Sequence, residues 1–319
     1  MTRVAHQFDI ALDSKLPETP MAEEELLPAS VQADRRSIEL YMKKVGSILF
    51  AAISTRPDVA FAASRLARFN QNPDDRHHKA ADRAIQYLYR TRCQGIRLGG
   101  TQAIATFLCA SDASFADNTV DRKSSQGYVM ILFGGPIAWR ASKQATVTTS
   151  STEAELLALS ETAKEAIFAS RLLKQLQVQI DKPLLIECDN TQTIRLLTED
   201  MARLSTRLRH VDIHEHWLRQ ECQAGRIQVK WVQTTKMIAD GLTKSLPKQK
   251  HESFMKLLRM EDISARIAME RRMDTLKDQL KDARARKSNE APDQEVKLGF
   301  SATIGRKKQA SRAAEPQVS

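Results

Sequence analysis

The sequence predicts an α/β fold in which a mixed five-stranded sheet is flanked by helices and preceded by a small helical segment. Three observations carry this. Residues 106–142 hold three apolar runs of strand length, two of them joined at a Gly-Gly-Pro turn. Residues 151–177 repeat apolar positions at helical spacing, and residues 184–232 return to short apolar or alternating runs between helical stretches. Strands, helix, strand, helices, strand and helix in that order fit helices layered on a mixed sheet.

Residues 1–37, with scattered prolines and the acidic run Glu23-Glu24-Glu25, read as an extended linker with little to bury. Residues 38–98 turn helical: Ile48, Leu49, Ala52 and Ile53 recur at helical spacing, as do Val59, Ala63, Leu66 and Phe69. Pro57 suits a first helical turn with Thr55 as its cap, Asn72-Pro73 interrupts, and residues 79–90 resume with Ala80, Ala84, Tyr87 and Leu88 on one side. Past Gly99 the pattern changes. Residues 106–112 read as a buried strand, and residues 126–133 and 137–142 as a hairpin around Gly134-Gly135-Pro136. The long helix over 151–177 carries Leu156, Leu159, Ala163, Ile167 and Leu173 near one stripe. Residues 184–188 form a strand running into Asp189, residues 191–198 and 211–222 two helices, residues 227–232 a strand, and a last helical segment starts near Met237. Residues 259–319 are highly charged. Met269, Met273, Leu276 and Leu280 mark one solvated helix, too short a repeat for a coiled coil, and residues 287–319 read as a disordered tail in which Gly305-Arg306-Lys307-Lys308 is a solvated basic patch.

Composition narrows the function classes. The chain has 319 residues and a formal charge of +10, a balance that favours a polyanionic partner. Cys93, Cys109, Cys188 and Cys222 form no Cys-x-x-Cys pair, so neither a disulfide framework nor a zinc ribbon is indicated, and an intracellular setting, cytoplasmic or nuclear, is expected. The longest uncharged apolar stretch, residues 127–139, is too short to span a bilayer, and no signal or transit peptide is recognisable, so no membrane partner is expected. A Gly-x-x-x-x-Gly-Lys-Ser/Thr loop and a Gly-x-Ser-x-Gly elbow are both absent.

Four acids fall at comparable places: Asp112 at the end of the first strand, Glu155 near the start of the long helix, Asp189 at the end of the fourth strand and Asp240 near the start of the last helical segment. Strand ends and helix starts converge on one edge of an α/β sheet. Carboxylates gathered there would repel one another unless cations neutralised them, and hard oxygen ligands at that density suit Mg²⁺. Each acid also has a structural reading. Asp112 ends a strand in a Ser-Asp-Ala-Ser turn. Glu155 stands three after Thr152 in a capping-box spacing worth about 1 kcal/mol. Asp189-Asn190 caps the next helix, and Asp240 balances a helix dipole. Spacing alone leaves both readings open.

Several ordered blocks resemble a known family. Ser111-Asp112-Ala113-Ser114-Phe115-Ala116, Ser150-Ser151-Thr152-Glu153-Ala154-Glu155-Leu156, Cys188-Asp189-Asn190 and Ala239-Asp240-Gly241-Leu242-Thr243-Lys244 look like the four motif blocks of the ribonuclease H of copia-type LTR retrotransposons. Arg122-Lys123-Ser124-Ser125-Gln126-Gly127-Tyr128 resembles its hairpin, and His210-Val211-Asp212-Ile213-His214-Glu215-His216 its helix before the last strand. Upstream, residues 41–91, with Val45-Gly46-Ser47-Ile48-Leu49-Phe50 and Thr55-Arg56-Pro57-Asp58-Val59-Ala60, are similar to the end of the copia-type reverse transcriptase. The resemblance covers about residues 41–258.

The resemblance implies a ribonuclease H-like fold over residues 101–258, with residues 38–98 as a helical remnant of the reverse transcriptase C-terminus. It implies metal-dependent cleavage of the RNA strand of RNA–DNA hybrids, with Asp112, Glu155, Asp189 and Asp240 as catalytic metal ligands for two Mg²⁺ ions, Mn²⁺ being able to substitute. Glu155, not Glu153, matches the catalytic position. The hybrid is the expected partner, with a reverse transcriptase as a second one, and Asn190, Arg207, Arg209 and His210 are candidate substrate contacts. A zinc site from His210, His214, His216 and Cys222 lacks a second clean ligand pair. No Tyr-x-Asp-Asp motif precedes the Arg56-Pro57-Asp58 block, so polymerisation is not expected, and no histidine stands between Trp231 and Asp240 as it does in cellular ribonucleases H. The alternative reading is a catalytically inactive, transposon-derived fragment that binds nucleic acid without cutting it.

Overall fold

The computed structural model of the chain describes residues 2–12, 15–99, 106–199 and 208–289. It divides into two compact units, residues 1–265 and 266–319. In the first unit the elements are α1 (Thr2–Gln7), α2 (Arg35–Ser54), α3 (Ala60–Ala67), α4 (Asp75–Arg90), β1 (Gln94–Ile96), β2 (Phe107–Ser114), β3 (Ser125–Leu132), β4 (Gly135–Lys143), α5 (Ser151–Gln175), β5 (Leu184–Cys188), α6 (Thr191–Thr198), α7 (Arg209–Gln223), β6 (Ile227–Trp231), α8 (Lys248–Leu257) and β7 (Met260–Asp262). The helix α9 (Ser264–Asn289) carries exposed Met269, Met273, Leu276 and Leu280. The expected disordered tail lies largely outside the described residues.

The main sheet has the order β4-β3-β2-β5-β6. Strands β2, β3 and β4 are antiparallel neighbours, while β5 runs parallel to β2 and β6 parallel to β5. This is the mixed five-stranded sheet of the ribonuclease H-like fold. The β3–β4 hairpin turns at Phe133-Gly134, and β4 begins two residues earlier than the glycines suggested. Phe133 and Gly134 have φ of 48° and 80°, the conformation a two-residue hairpin needs, and Gly135 already pairs with Leu132. A register shift between Met130 and Ile131 then seats Pro136 opposite Ile131, where a bulge tolerates a proline.

Each face of the sheet has its own apolar layer. On one, Leu156, Leu159, Ala163 and Ala166 of α5 join Cys109, Met130 and Ile186 from the strands, with Val211 and Leu218 of α7. On the other, Ala110 and Val129 share a core with Tyr41, Val45 and Ile48 of α2, Ala63 and Leu66 of α3, and Ile85 and Leu88 of α4. The helices at 38–98 therefore bury their apolar stripes against the sheet in a shared core. Trp139 of β4 donates from Nε1 to the Ala52 carbonyl at 2.7 Å, fixing the same contact. A buried network completes it: Arg56 forks onto Asp58 at 2.8 and 2.7 Å, Tyr87 donates to Asp58 at 2.7 Å, and His251 of α8 meets the Tyr87 hydroxyl at 2.9 Å.

Several local expectations are corrected. Residues 1–37 are not a linker with little to bury. Residues 2–7 are helical, Ala5, Ile10 and Met21 are buried, and the backbone of Ala11 and Leu16 accepts hydrogen bonds from Gln86 and Arg90 of α4. Val4, Ala5 and Phe8 form a one-turn apolar face that a charged, proline-bearing context obscures. Thr55 closes α2 instead of opening the next helix, and Pro57 begins a single 3₁₀ turn. Helix α4 starts at Asp75, not residue 79, because Asp74 caps it with bonds from Arg76 N and His77 N. The last helical segment starts at Lys248, not near Met237. Only the short 3₁₀ turns Thr234–Lys236 and Asp240–Leu242 precede it. Residues 260–262 are not part of a solvated helix but pair with residues 94–96 as β7 on β1.

Candidate metal centre

Three of the four acids converge. Asp112 stands in β2 opposite Gly127 and is 4% exposed. Glu155 is likewise buried on α5, and Asp189 directly follows β5, half-buried. Each offers a carboxylate oxygen, and these oxygens lie within 4.8 Å of one another. Asp240 stands beside this cluster, close enough for its charge to bear on Asp112, and its Oδ1 is ion-paired with the Lys244 ammonium.

The start of α5 decides which glutamate reaches the cluster. The Thr152–Glu155 capping box considered for this helix does not form. Ser150 is the N-cap, its side chain accepting from Glu153 N at 3.2 Å. Glu153 Oε2 then accepts from the Thr149 N–H and hydroxyl at 2.6 and 2.8 Å, so Glu153 satisfies the backbone at the helix start. Glu155, two residues further on, is turned to another side of the helix and joins Asp112 and Asp189.

The turn that carries Asp240 is held on the sheet. A Cβ on Gly127 would stand 2.6 Å from Leu242 Cβ, so only glycine lets residues 240–243 lie against β3 opposite Asp112. Fully buried Thr243 donates its hydroxyl to Asp112 Oδ2, fixing that carboxylate. Trp231, at the end of β6, donates from Nε1 to the Asp189 carbonyl at 3.2 Å. Thr243, Lys244 and Trp231 were not singled out as site residues in the sequence. Thr243 and Lys244 sat inside a matched block, and Trp231 carried no signal beyond an exposed aromatic at a strand end.

The electrostatics are those of acids short of countercharge. Burial pushes the Asp112 carboxyl above the ordinary carboxylate range, opposed by the Thr243 hydrogen bond and reinforced by Asp240. Burial also pushes Glu155 up, with Asp112 and Asp189 adding repulsion. Among the described residues, Glu155 Oε2 is buried with no hydrogen-bond partner. An orphaned buried oxygen among repelling hard-oxygen donors fits a divalent cation, with Asp112, Glu155 and Asp189 as the residues that would hold it.

The other candidates are placed less directly. Asn190 uses its side chain to cap α6, accepting from Thr193 N at 3.0 Å. Arg207 lies outside the described residues. Arg209 opens α7 and is exposed, and His210 Nε2 is 3.3 Å from the Thr146 hydroxyl, on the loop before α5. His214 is engaged with Ser160 at 2.8 Å, and the zinc reading finds no support among the described residues, where the metal-competent group is the acidic one. No described helix is long and apolar enough to cross a membrane. A cavity of about 470 Å³ between α2, α3 and β4, bordered by Leu49, Ile53 and Trp139, holds none of the acids.

No family model matches the chain. Over 264 residues it is 32% identical to the retrovirus-related Pol polyprotein from transposon TNT 1-94 of Nicotiana tabacum, covering 81% of this chain and 19% of that protein. Over 245 residues it is 34% identical to the retrovirus-related Pol polyprotein from transposon RE2 of Arabidopsis thaliana, covering 76% and 16%. The chain thus spans less than a fifth of the length of these relatives. Among solved structures, the N-terminal RNase H domain of rv2228c from Mycobacterium tuberculosis superposes with a TM-score of 0.34 at 13% identity, over 48% of this chain and 97% of that one.

Proposed function

This chain belongs to the copia-type retrovirus-related Pol polyproteins and carries a ribonuclease H-like domain, and we propose that its acidic edge cleaves the RNA strand of RNA–DNA hybrids with divalent metal. One observation carries the reading: Asp112, Glu155 and Asp189 hold their carboxylate oxygens within 4.8 Å while Glu155 Oε2 is buried without a partner among the described residues. Asp112, Glu155, Asp189 and Asp240 would hold two Mg²⁺ ions, Mn²⁺ being able to substitute. Bound there, such ions activate an attacking water and stabilise the departing 3′ oxygen of a phosphodiester.

The chain's own residues supply position. Thr243 keeps Asp112 in one orientation, Trp231 ties down the Asp189 backbone, and the Ser150–Glu153 cap fixes the helix start from which Glu155 projects. The formal charge of +10 favours the polyanionic hybrid, which would be read through phosphates and shape instead of base edges. His210, beside the loop before α5, and exposed Arg209 at the start of α7 are proposed backbone contacts, with Arg207 and Asn190 as further candidates. Helices α2–α4 are proposed to be the end of the reverse transcriptase, so their shared core with the sheet would tether the nuclease to that partner.

The test is a hybrid labelled in either strand and incubated with the full chain and Mg²⁺. The expected products are RNA fragments ending in a 3′ hydroxyl and an intact DNA strand. Tight hybrid binding with no fragments would instead support the non-cutting alternative.

A further inference from the structure

Helix α2 carries two apolar stripes. Tyr41, Val45, Ile48 and Ala52 face the shared core, while Met42, Leu49, Phe50 and Ile53 stand exposed on the other side, Phe50 at 70% and Ile53 at 68%. The exposed four recur at the spacing of one helical face, with Gly46 at its centre. A glycine inside a helix weakens it. A Cβ at Gly46 would meet nothing within 4 Å, so the position is open to the approach of another backbone. Single exposed apolar residues are ordinary, but a contiguous stripe marks an interaction surface.

Charge identifies what covers it. At the C-terminal end of the stripe, Leu49 and Ile53 border the cavity of about 470 Å³, and Arg68 borders it too. Arg140 and Lys143, on the same rim, are already paired with Glu161 and Asp121, whereas Arg68 forms no ion pair among the described residues. Its Nη2 donates to Ser125 Oγ at 3.0 Å, and among the described residues its Nε and Nη1 are buried without a hydrogen-bond partner. Burial and the neighbouring Arg65 charge push it down to about 10, as befits a cation short of countercharge. At the N-terminal end of the stripe stands Glu39, seven residues before Gly46 as Ile53 is seven after it. Glu39 is held by Arg35 in an exposed pair, of the kind that contributes little. An acid at one end of a helix face and an unpaired arginine beside the other end are complementary to the same face turned end for end.

We propose that α2 pairs antiparallel with α2 of a second copy of this chain, across a two-fold axis at Gly46, so that Glu39 of each copy reaches Arg68 of the other. Such a pairing uses the same patch on both copies, as a two-fold axis requires. It sets Met42 of one copy against Phe50 of the other and withdraws Leu49 and Ile53 from water on both sides. The stripe holds none of the four acids, so the inference stands apart from the metal-dependent reading.

The test is sedimentation equilibrium of the full chain over a range of concentrations. The wild type is expected to be a dimer in equilibrium with monomer. Phe50→Lys and Gly46→Gln are expected to raise the dissociation constant about tenfold or more, as loss of a central interface contact does. Gly46→Gln should do so without loss of helical circular dichroism, since it replaces a poor helix former. Glu39→Arg alone and Arg68→Glu alone are each expected to be monomeric, because like charges then meet at both ends of the stripe. An equimolar mixture of these two variants is expected to dimerise, because every charge again meets its opposite. A wild type that stays monomeric, a dimer that none of the variants weakens, or a mixture of folded single variants that does not recover overturns the proposal. If Arg68→Glu does not fold, an unchanged dissociation constant in both Phe50→Lys and Gly46→Gln overturns it.

Discussion

Asp58 and Asp112 are both almost wholly buried, at 2% and 4% exposure, yet they are buried on opposite terms. Asp58 is enclosed by protein donors: Arg56 binds both its oxygens, Tyr87 donates to it, and Arg56 goes on to the Thr91 carbonyl and hydroxyl. Because the Tyr87 proton is committed to Asp58, the His251 Nε2 facing that hydroxyl must be the donor. Asp112 has one hydroxyl partner, from Thr243, and faces Glu155 and Asp189 instead of a guanidinium. Satisfied burial joins the helices at 38–98 to α8. Unsatisfied burial, with carboxylates forced together, leaves a repulsion that protons or a bound cation would relieve.

The comparison is sharpest at the acids themselves. Glu155→Gln is expected to lower hybrid cleavage about a thousandfold, the several kcal/mol that metal charge stabilisation supplies. The same variant should melt no lower than the wild type in the absence of metal, since it removes repulsion. A fall in melting temperature with retained cleavage would assign Glu155 a structural role. Asp58→Asn should behave in the reverse way. It leaves buried Arg56 uncompensated, so urea denaturation is expected to show a loss of about 3 kcal/mol with divalent-metal uptake unchanged. Gly127→Ala stands between the two. A Cβ 2.6 Å from Leu242 must lift the Asp240 turn, at about 1–3 kcal/mol of overpacking, and both stability and cleavage should fall.

The smallest expected effect is on pH dependence. Asp112 and Glu155 titrate above their ordinary values of 3.8 and 4.5 in the folded chain, chiefly through burial. The folded state therefore holds protons that the unfolded state has released, and this contribution to stability is present at low pH and is lost as pH rises from the ordinary values of 3.8 and 4.5 through the raised folded ones. Melting curves in EDTA should decline over that window more steeply than in Mg²⁺, which replaces the protons as countercharge. Parallel curves under both conditions would mean that no ion binds there.

How much of this was legible in the sequence follows from the range of the interactions. The strands β2, β3 and β5 show as short apolar runs, and α5 as a stripe from Leu156 to Leu173, because each pattern is local. The acids could be picked out because their blocks stand near strand ends and helix starts, although Asp112 lies within β2 and Asp240 in a 3₁₀ turn. Glu155 was ambiguous from spacing: a helix starting two residues later would have made it the capping partner of Thr152, and the resemblance of its motif block separated it from Glu153. What could not be read depends on distant partners. The Tyr87–His251 contact joins residues 164 apart, and β7 pairs with β1 across a similar separation. The docking of residues 2–12 rests on a single turn of apolar residues whose burial exists only once α4 is in place. The Lys244–Asp240 pair is local, but its meaning depends on the three other acids that the fold assembles around it.

The most direct measurement is the melting temperature of the full chain across a Mg²⁺ titration, wild type beside Glu155→Gln. A ligand that binds only the folded state stabilises it in proportion to the logarithm of its concentration above the dissociation constant. The expected result is a melting temperature that climbs with Mg²⁺ in the wild type and stays flat in Glu155→Gln. A flat wild-type curve, or an equal climb in both proteins, would contradict the assignment of the buried carboxylates to a metal centre.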